Sequence, residues 1–210
     1  MNFDPYDIIP SIRYQDNNIL ELAEFFLGKI IVSNVGNTRT IARIVETEAY
    51  RAPDDKGSHA FGNKKTERTK TMFQAGGVSY VYLCYGLHNM LNIVSGDINE
   101  AHAILIRAVE PLEGLETMTV RRQGVSNYNL TNGPGKLCQA LGITRDQNSV
   151  RLYTKDSPIY ILKGVDIPES EIIRSPRVGI SYAQECAHWP WRFRIKNNPW
   201  TSKPETVRYD

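Results

Sequence analysis

The chain has 210 residues, 41% of them hydrophobic and 23% charged. That is the composition of a folded protein of one domain, or at most two small ones, and it excludes disordered and fibrous classes. Net charge is 25 − 23 = +2, too small to announce a polyanionic partner, and no run approaches the roughly 18 apolar residues of a membrane span. The opening MNFDPYDIIPSIRYQ carries acids rather than a basic leader, so a soluble intracellular protein is expected. Cys84, Cys138 and Cys186 are odd in number and form no CxxC pair, and the four histidines form no HExxH pattern. Neither a disulfide framework nor a metal site is therefore expected.

In chain order, the first element is a helix near residues 18–27. Asn18 followed by Glu21 resembles a capping box, Ile19, Leu22, Ala23 and Phe26 supply the apolar stripe, and Gly28 stands where a helix ends. Lys29 to Ser33 and Thr40 to Tyr50 read as strands of a hairpin around a Gly36-Asn37 turn, closed by Pro53, Asp54 and Asp55. Residues 56–72, KGSHAFGNKKTERTKTM, lack periodicity and indicate a surface loop. Val78 to Tyr85 and Leu87 to Val94 read as strands split by Gly86. Ala103 to Val109 reads as another strand, ended by Pro111. Leu112 to Arg122 is expected as a helix weakened by Gly114, and Pro134 to Leu141 as a helix begun by its proline and stopped by Gly142. Val150 to Tyr153, Ile159 to Lys163, Arg177 to Tyr182 and Trp191 to Lys196 complete the strands. Clustered strands indicate a single mixed α+β domain spanning residues 1–210, with a mostly antiparallel sheet.

Charge is unevenly spread. Residues 56–72 hold five bases and one acid, and residues 174–210 hold seven bases and three acids. Two such blocks can build one positive face for a polyanion, but charge alone does not separate that from a solvated loop and a basic tail.

Four local patterns carry chemistry. In Ile44-Val45-Glu46-Thr47-Glu48-Ala49-Tyr50, alternation puts Ile44, Glu46, Glu48 and Tyr50 on one face and the small residues on the buried one. A carboxylate beside an aromatic ring can serve as a general base; two ordinary solvent-facing glutamates fit the same pattern. Tyr80, Tyr82 and Tyr85 lie within six residues, with Tyr85 on a turn beside Gly86. Aromatics flanked by basic residues suit base stacking, though a tyrosine-rich core strand does as well. Arg107 interrupts an apolar strand and needs a partner, either a catalytic carboxylate, a phosphate or simply Glu110. Asn132-Gly133-Pro134-Gly135-Lys136 opens a helix and offers amides and a lysine to a phosphate, yet also reads as a plain helix start.

The joint order of these patterns is more specific than any one of them. LGK at 27–29, ARIVETEAY at 42–50, SHA at 58–60, MF at 72–73, YVYLCYG at 80–86 and LNIV at 91–94 are followed by IRAVEPLEG at 106–114, LTNGPGKLCQALGI at 130–143, SPRVGI at 175–180 and PWRF at 190–193. From Leu27 to Trp200 the chain resembles the alkyladenine (3-methylpurine) DNA glycosylases. The resemblance implies a mixed fold around a curved antiparallel sheet, no metal or organic cofactor, and release of 3-methyladenine, 7-methylguanine, hypoxanthine or ethenoadenine from double-stranded DNA by a monomer. It implies that Glu48 activates the attacking water and that Arg107 stands near that water and the nucleotide's phosphate. Tyr50, His59 and Tyr82 would wall the pocket for a flipped base, Asn92 would discourage guanine, and Tyr85 would fill the gap in the duplex. Leu87, His88, Arg68, Lys136 and Arg177 are expected to meet DNA. Such an enzyme would sit with the chromosome, in a bacterial cytoplasm or a eukaryotic nucleus.

Departures from relatives are Glu67 where proline is frequent, Gln184 where glycine is common, and Asn89 where an aromatic or histidine is often found. Two other functions stay open at this level. One is a non-catalytic nucleic-acid-binding module, since the scaffold also resembles the tRNA-binding portion of formyltransferases. The other is a carbohydrate glycosidase, because Glu46 and Glu48 would stand about 7 Å apart by strand rise, although the basic loops favour a polyanion.

Overall fold

The computed structural model describes residues 8–202. The first seven residues and the end of the basic tail, 203–210, lie outside the described residues, and with them half of the acidic opening segment. One curved antiparallel sheet of eight strands organises the rest. Its strands are β1 (Ile30–Ser33), β2 (Thr40–Tyr50), β3 (Ser79–Cys84), β4 (His88–Ser95), β5 (His102–Glu113), β6 (Ile159–Leu162), β7 (Ile172–Ser175) and β8 (Arg192–Ile195). They run in the order β3-β4-β5-β2-β1-β6, with β8 joined to β2 and β7 joined to β8. The mixed α+β architecture expected from clustered strands is present.

β2 is the spine. β5 follows it from Ile41 to Tyr50, while on its other edge β1 takes residues 40–43 and β8 takes 46–48. The sheet forks where the β2–β5 register slips twice. Ile44 opposes Val109 and Glu46 opposes Ala108, leaving Val45 extra; Thr47 then opposes Ile106, leaving Arg107 extra. A bulge re-aims side chains, so the strict alternation read from sequence fails at its first step. Ile44 joins Ala42 and Ala49 in the main core rather than the face of Glu46 and Glu48. Both faces are closed: Val45, Glu46, Thr47, Glu48 and Ala49 are all buried.

Three helices cover the sheet: α1 (Ile19–Phe25), α2 (Leu115–Arg121) and α3 (Pro134–Leu141). α1 forms because Asn18 Oδ1 accepts from the Glu21 amide at 3.4 Å and because Ile19, Leu22, Ala23 and Phe26 give it one apolar side. Gly28 turns the chain at φ +81°, and a Cβ there would lie 2.4 Å from the Val165 carbonyl oxygen. Tyr14, Phe26, Ile104, Leu137, Leu141 and Phe193 pack in the main core. A second cluster of Ala60, Met72, Phe73, Tyr80 and Ala103 pins the basic loop to β3 and β5, so this loop is held rather than merely solvated. Among the described residues no helix is long and apolar enough to cross a membrane.

Four boundaries differ from the reading of the sequence. β5 passes through Pro111 to Glu113, because Pro111 lies beyond the stretch that β4 covers and beside a register shift, where a missing N–H costs no ladder bond. Gly114 precedes α2 as its left-handed cap, at φ 80°, instead of weakening its interior. Val150 to Tyr153 contributes only a single bridge, Arg151 to Val78. Arg177 to Tyr182 is not a strand; β7 ends at Ser175, just before Pro176, and the chain turns inward at Arg177.

Candidate active site

The two glutamates of β2 have different surroundings. Glu46 accepts from Arg107 Nε at 3.1 Å, Arg192 Nε at 2.6 Å, and the Ser202 amide and hydroxyl at 2.6 and 2.7 Å. It is saturated by donors from β5, β8 and the segment after β8. Glu48 accepts from the Tyr50 hydroxyl at 2.7 Å and the Val178 amide at 2.8 Å, and its Oε1 lies 3.3 Å from Arg107 Nη1. Arg107, the residue left over by the bulge, thus spans both carboxylates. Glu110, its nearest candidate in sequence, pairs with Arg43 at 2.9 Å instead.

Beside Glu48 lies a cavity of about 450 Å³ whose wall includes Tyr50, Arg107, Val178, His59, Tyr82 and Asn92. Glu48 has no accessible surface, so the expectation that alternation sets this carboxylate on the open face of β2 is corrected. All three groups that bond it line the cavity, and the carboxylate stands directly behind them. A naked carboxylate there would be costly, and a hydroxyl, an amide and a guanidinium satisfy it. Burial opposes the charge of Arg107, but Glu48 and Glu46 outweigh it and hold the guanidinium above its ordinary pKa. Burial and the neighbouring Glu48 push the Tyr50 hydroxyl well up, so it stays a donor.

The remaining walls are aromatic. His59 meets Tyr82 edge to face at 4.6 Å between centroids, and Tyr80 lies 5.4 Å from Tyr82. His59 Nδ1 is 3.0 Å from the Tyr80 hydroxyl. Burial, and secondarily Arg68, lower the pKa of His59 to about 4, which leaves it neutral at pH 7. Asn92 is buried and donates to the Tyr80 carbonyl at 3.0 Å. Arg68 reaches in from the basic loop, 5.0 Å above the Tyr82 ring.

At the mouth, Tyr85 sits at φ +49° and is 90% exposed, while Leu87 is 77% exposed. A non-glycine residue in this region is strained, and here the strain holds an aromatic ring in solvent. His88 packs the hairpin tip onto α3, where a Cβ on Gly135 would come within 2.9 Å of it. Lys136, half-buried in the first turn of α3, donates to Asn132 Oδ1 at 2.8 Å.

Arg177 is not at this surface, contrary to the expectation that it meets DNA. Its side chain has no exposed area, forms a two-pronged pair with Asp55, donates to the Ala49 and Cys186 carbonyls and lies 4.7 Å over the Tyr50 ring. Arg192 is likewise buried against Glu46. The basic tail therefore spends two of its charges inside the protein. The two basic blocks do meet, since Lys56 donates to Gln184 and pairs with Glu185 at 2.8 Å. Gln184 has φ 53° and ψ −131°, a backbone suited to glycine. Asp55 and Val178 were not foreseen as site residues. Asp55 reads in sequence as a strand breaker, and the role of Val178 belongs to its backbone amide, which leaves no trace in residue type.

Residues 13–199 match the sequence pattern of the methylpurine-DNA glycosylase family. The chain is similar to proteins each named "Putative 3-methyladenine DNA glycosylase". That of Bacillus cytotoxicus is 40% identical over 203 residues, covering 90% of this chain and 97% of that protein. That of Chlamydia abortus is 43% identical over 195 residues, with 90% and 100% covered, and that of Clostridium novyi is 44% identical over 199 residues, with 91% and 96% covered. With a buried carboxylate behind a ring-lined cavity and a match across most of its length, the chain belongs to the methylpurine-DNA glycosylase family.

Proposed function

We propose that this protein is a hydrolytic DNA glycosylase that takes an alkylated or deaminated purine out of duplex DNA and cleaves its glycosidic bond. The observation that carries this reading is the placement of Glu48 behind Tyr50, Arg107 and Val178 at the wall of a cavity of about 450 Å³.

A purine in a duplex hides its C1′, so the nucleotide must be extruded at a cost of a few kcal/mol. Exposed Tyr85 and Leu87 would fill the vacated stack, with His88 and Lys136 near the backbone. Tyr50, His59 and Tyr82 would take the everted base. An N-alkylated purine is a cation, and aromatic faces attract it. Bond cleavage builds positive charge on the sugar; Glu48 would stabilise that charge from behind Tyr50 and Arg107, and a water that displaces one of these two donors would give it a proton as it attacks. Because His59 is neutral at pH 7, it offers no ready proton to a neutral leaving base, so cationic lesions are the favoured substrates. No lysine lines the cavity among the described residues, and the reading is base release without an imine intermediate.

The test is single-turnover base release from duplexes carrying 3-methyladenine or ethenoadenine. Glu48→Gln should lower the rate by about 10²–10⁴, the contribution typical of a general base. Release by this variant at the wild-type rate would falsify the assignment.

A further inference from the structure

Arg68 belongs to the exposed part of the basic loop, yet its guanidinium turns in over the cavity. Cζ is 5.0 Å from the centroid of the Tyr82 ring, and Nη2 is 3.2 Å from His59 Nε2. On the other side of the same imidazole, Nδ1 is 3.0 Å from the Tyr80 hydroxyl. A guanidinium can only donate, so Nε2 must accept. The imidazole is then uncharged with its proton on Nδ1, and Nδ1–H donates to Tyr80. Tyr80 is buried and next to Tyr82, so a surface arginine sets the direction of a hydrogen-bond chain that ends inside the wall.

We propose that Arg68 is a positioning residue of the cavity, fixing His59 as the neutral Nδ1–H tautomer, with both ring nitrogens engaged and an uncharged ring turned to an entering purine. This rests on reading the cavity as a base pocket and adds to it what fixes the tautomer and charge of its imidazole wall. An imidazolium 4.6 Å from Tyr82 would add a second positive charge to a wall where Arg68 already lies 5.0 Å from that ring, and would repel an alkylpurinium further. The titratable and charged groups facing His59 are Arg68 on its own loop and Tyr80 and Tyr82 on β3. No carboxylate bonds to it among the described residues, so nothing in the wall favours its protonated form, and Arg68 opposes it both by charge and by occupying Nε2. The role differs from a phosphate contact, which would weaken binding by the same factor for every lesion.

The test is imidazole ¹⁵N NMR on the full-length protein, which reads tautomer and charge without DNA. Wild type should show His59 as Nδ1–H and still neutral at pH 5. Arg68→Met, at an exposed position that leaves the fold intact, should bring in the Nε2–H form and raise the His59 titration, with the larger depression by burial remaining. Arg68→Lys, which still only donates, should restore the wild-type tautomer. With 7-methylguanine DNA, the acid limb of kcat/KM should move to higher pH in Arg68→Met. An Nε2–H tautomer in the wild type, or a His59 spectrum and titration that Arg68→Met leaves unchanged, would overturn the proposal. Since the spectra need no turnover, loss of the glycosylase reading and loss of this one give separate results.

Discussion

The buried pair of Asp55 and Arg177 offers a test of why this arginine is in the molecule. Sequence places it in a basic tail, where removal would weaken DNA binding. In the fold both side chains have no exposed area, and Asp55 also accepts from the Gly57 amide at 2.8 Å and the Arg51 amide at 3.3 Å. Asp55→Asn keeps the shape but leaves the guanidinium charge without its counterion. Breaking one side of a buried pair costs about 3–5 kcal/mol, and at roughly 2–4 °C of melting temperature per kcal/mol in a chain of this size that is about 6–20 °C. Thermal unfolding by circular dichroism measures it directly. Asp55→Leu combined with Arg177→Met should recover much of the loss, because no orphan charge remains. Val178 follows Arg177 and holds Glu48, so base release should fall in Asp55→Asn along with stability. A melting temperature for Asp55→Asn within about 2 °C of wild type would refute the reasoning. So would an Arg177→Met variant that loses DNA affinity while melting normally.

Two further predictions concern the mouth and the wall. Tyr85→Ser should weaken binding to lesion-containing duplex at fixed salt while leaving stability within about 0.5 kcal/mol, as expected for a residue that is 90% exposed; equal affinities in the titration would remove the wedge role. His59 carries a sign that can be checked. Its pKa is about 4 when folded and 6.5 otherwise, so well above pH 6.5 it is neutral in both states and contributes nothing to pH dependence. Between 6.5 and 4 the unfolded chain takes a proton that the folded one refuses, and stability falls as pH falls. His59→Gln should flatten that limb of the stability curve, leaving the share of His102, which burial also depresses. An unchanged slope would show that His59 is not held neutral.

Much of the fold can be read from local pattern. The β2 span, the Gly36-Asn37 turn, Asn18 and Gly28 around α1, and Pro134 and Gly142 around α3 all follow from turn chemistry and apolar spacing, which act over a few residues. The aromatic density of β3 and the oddity of Arg107 are visible for the same reason. Other features are set by partners far along the chain. Glu46 and Glu48 are indistinguishable by periodicity. They part because Arg192 and Ser202, 146 and 156 residues away, close over one, and the Val178 amide, 130 residues away, meets the other. The exchange of Glu110 for Glu46 and Glu48 as the partners of Arg107 follows from two opposed bulges, and the burial of Arg177 from an aspartate whose sequence pattern says only that a strand ends. Periodicity records which face of an element avoids water. Which charge neutralises which is settled when distant segments pack and each buried ion must find its counterpart.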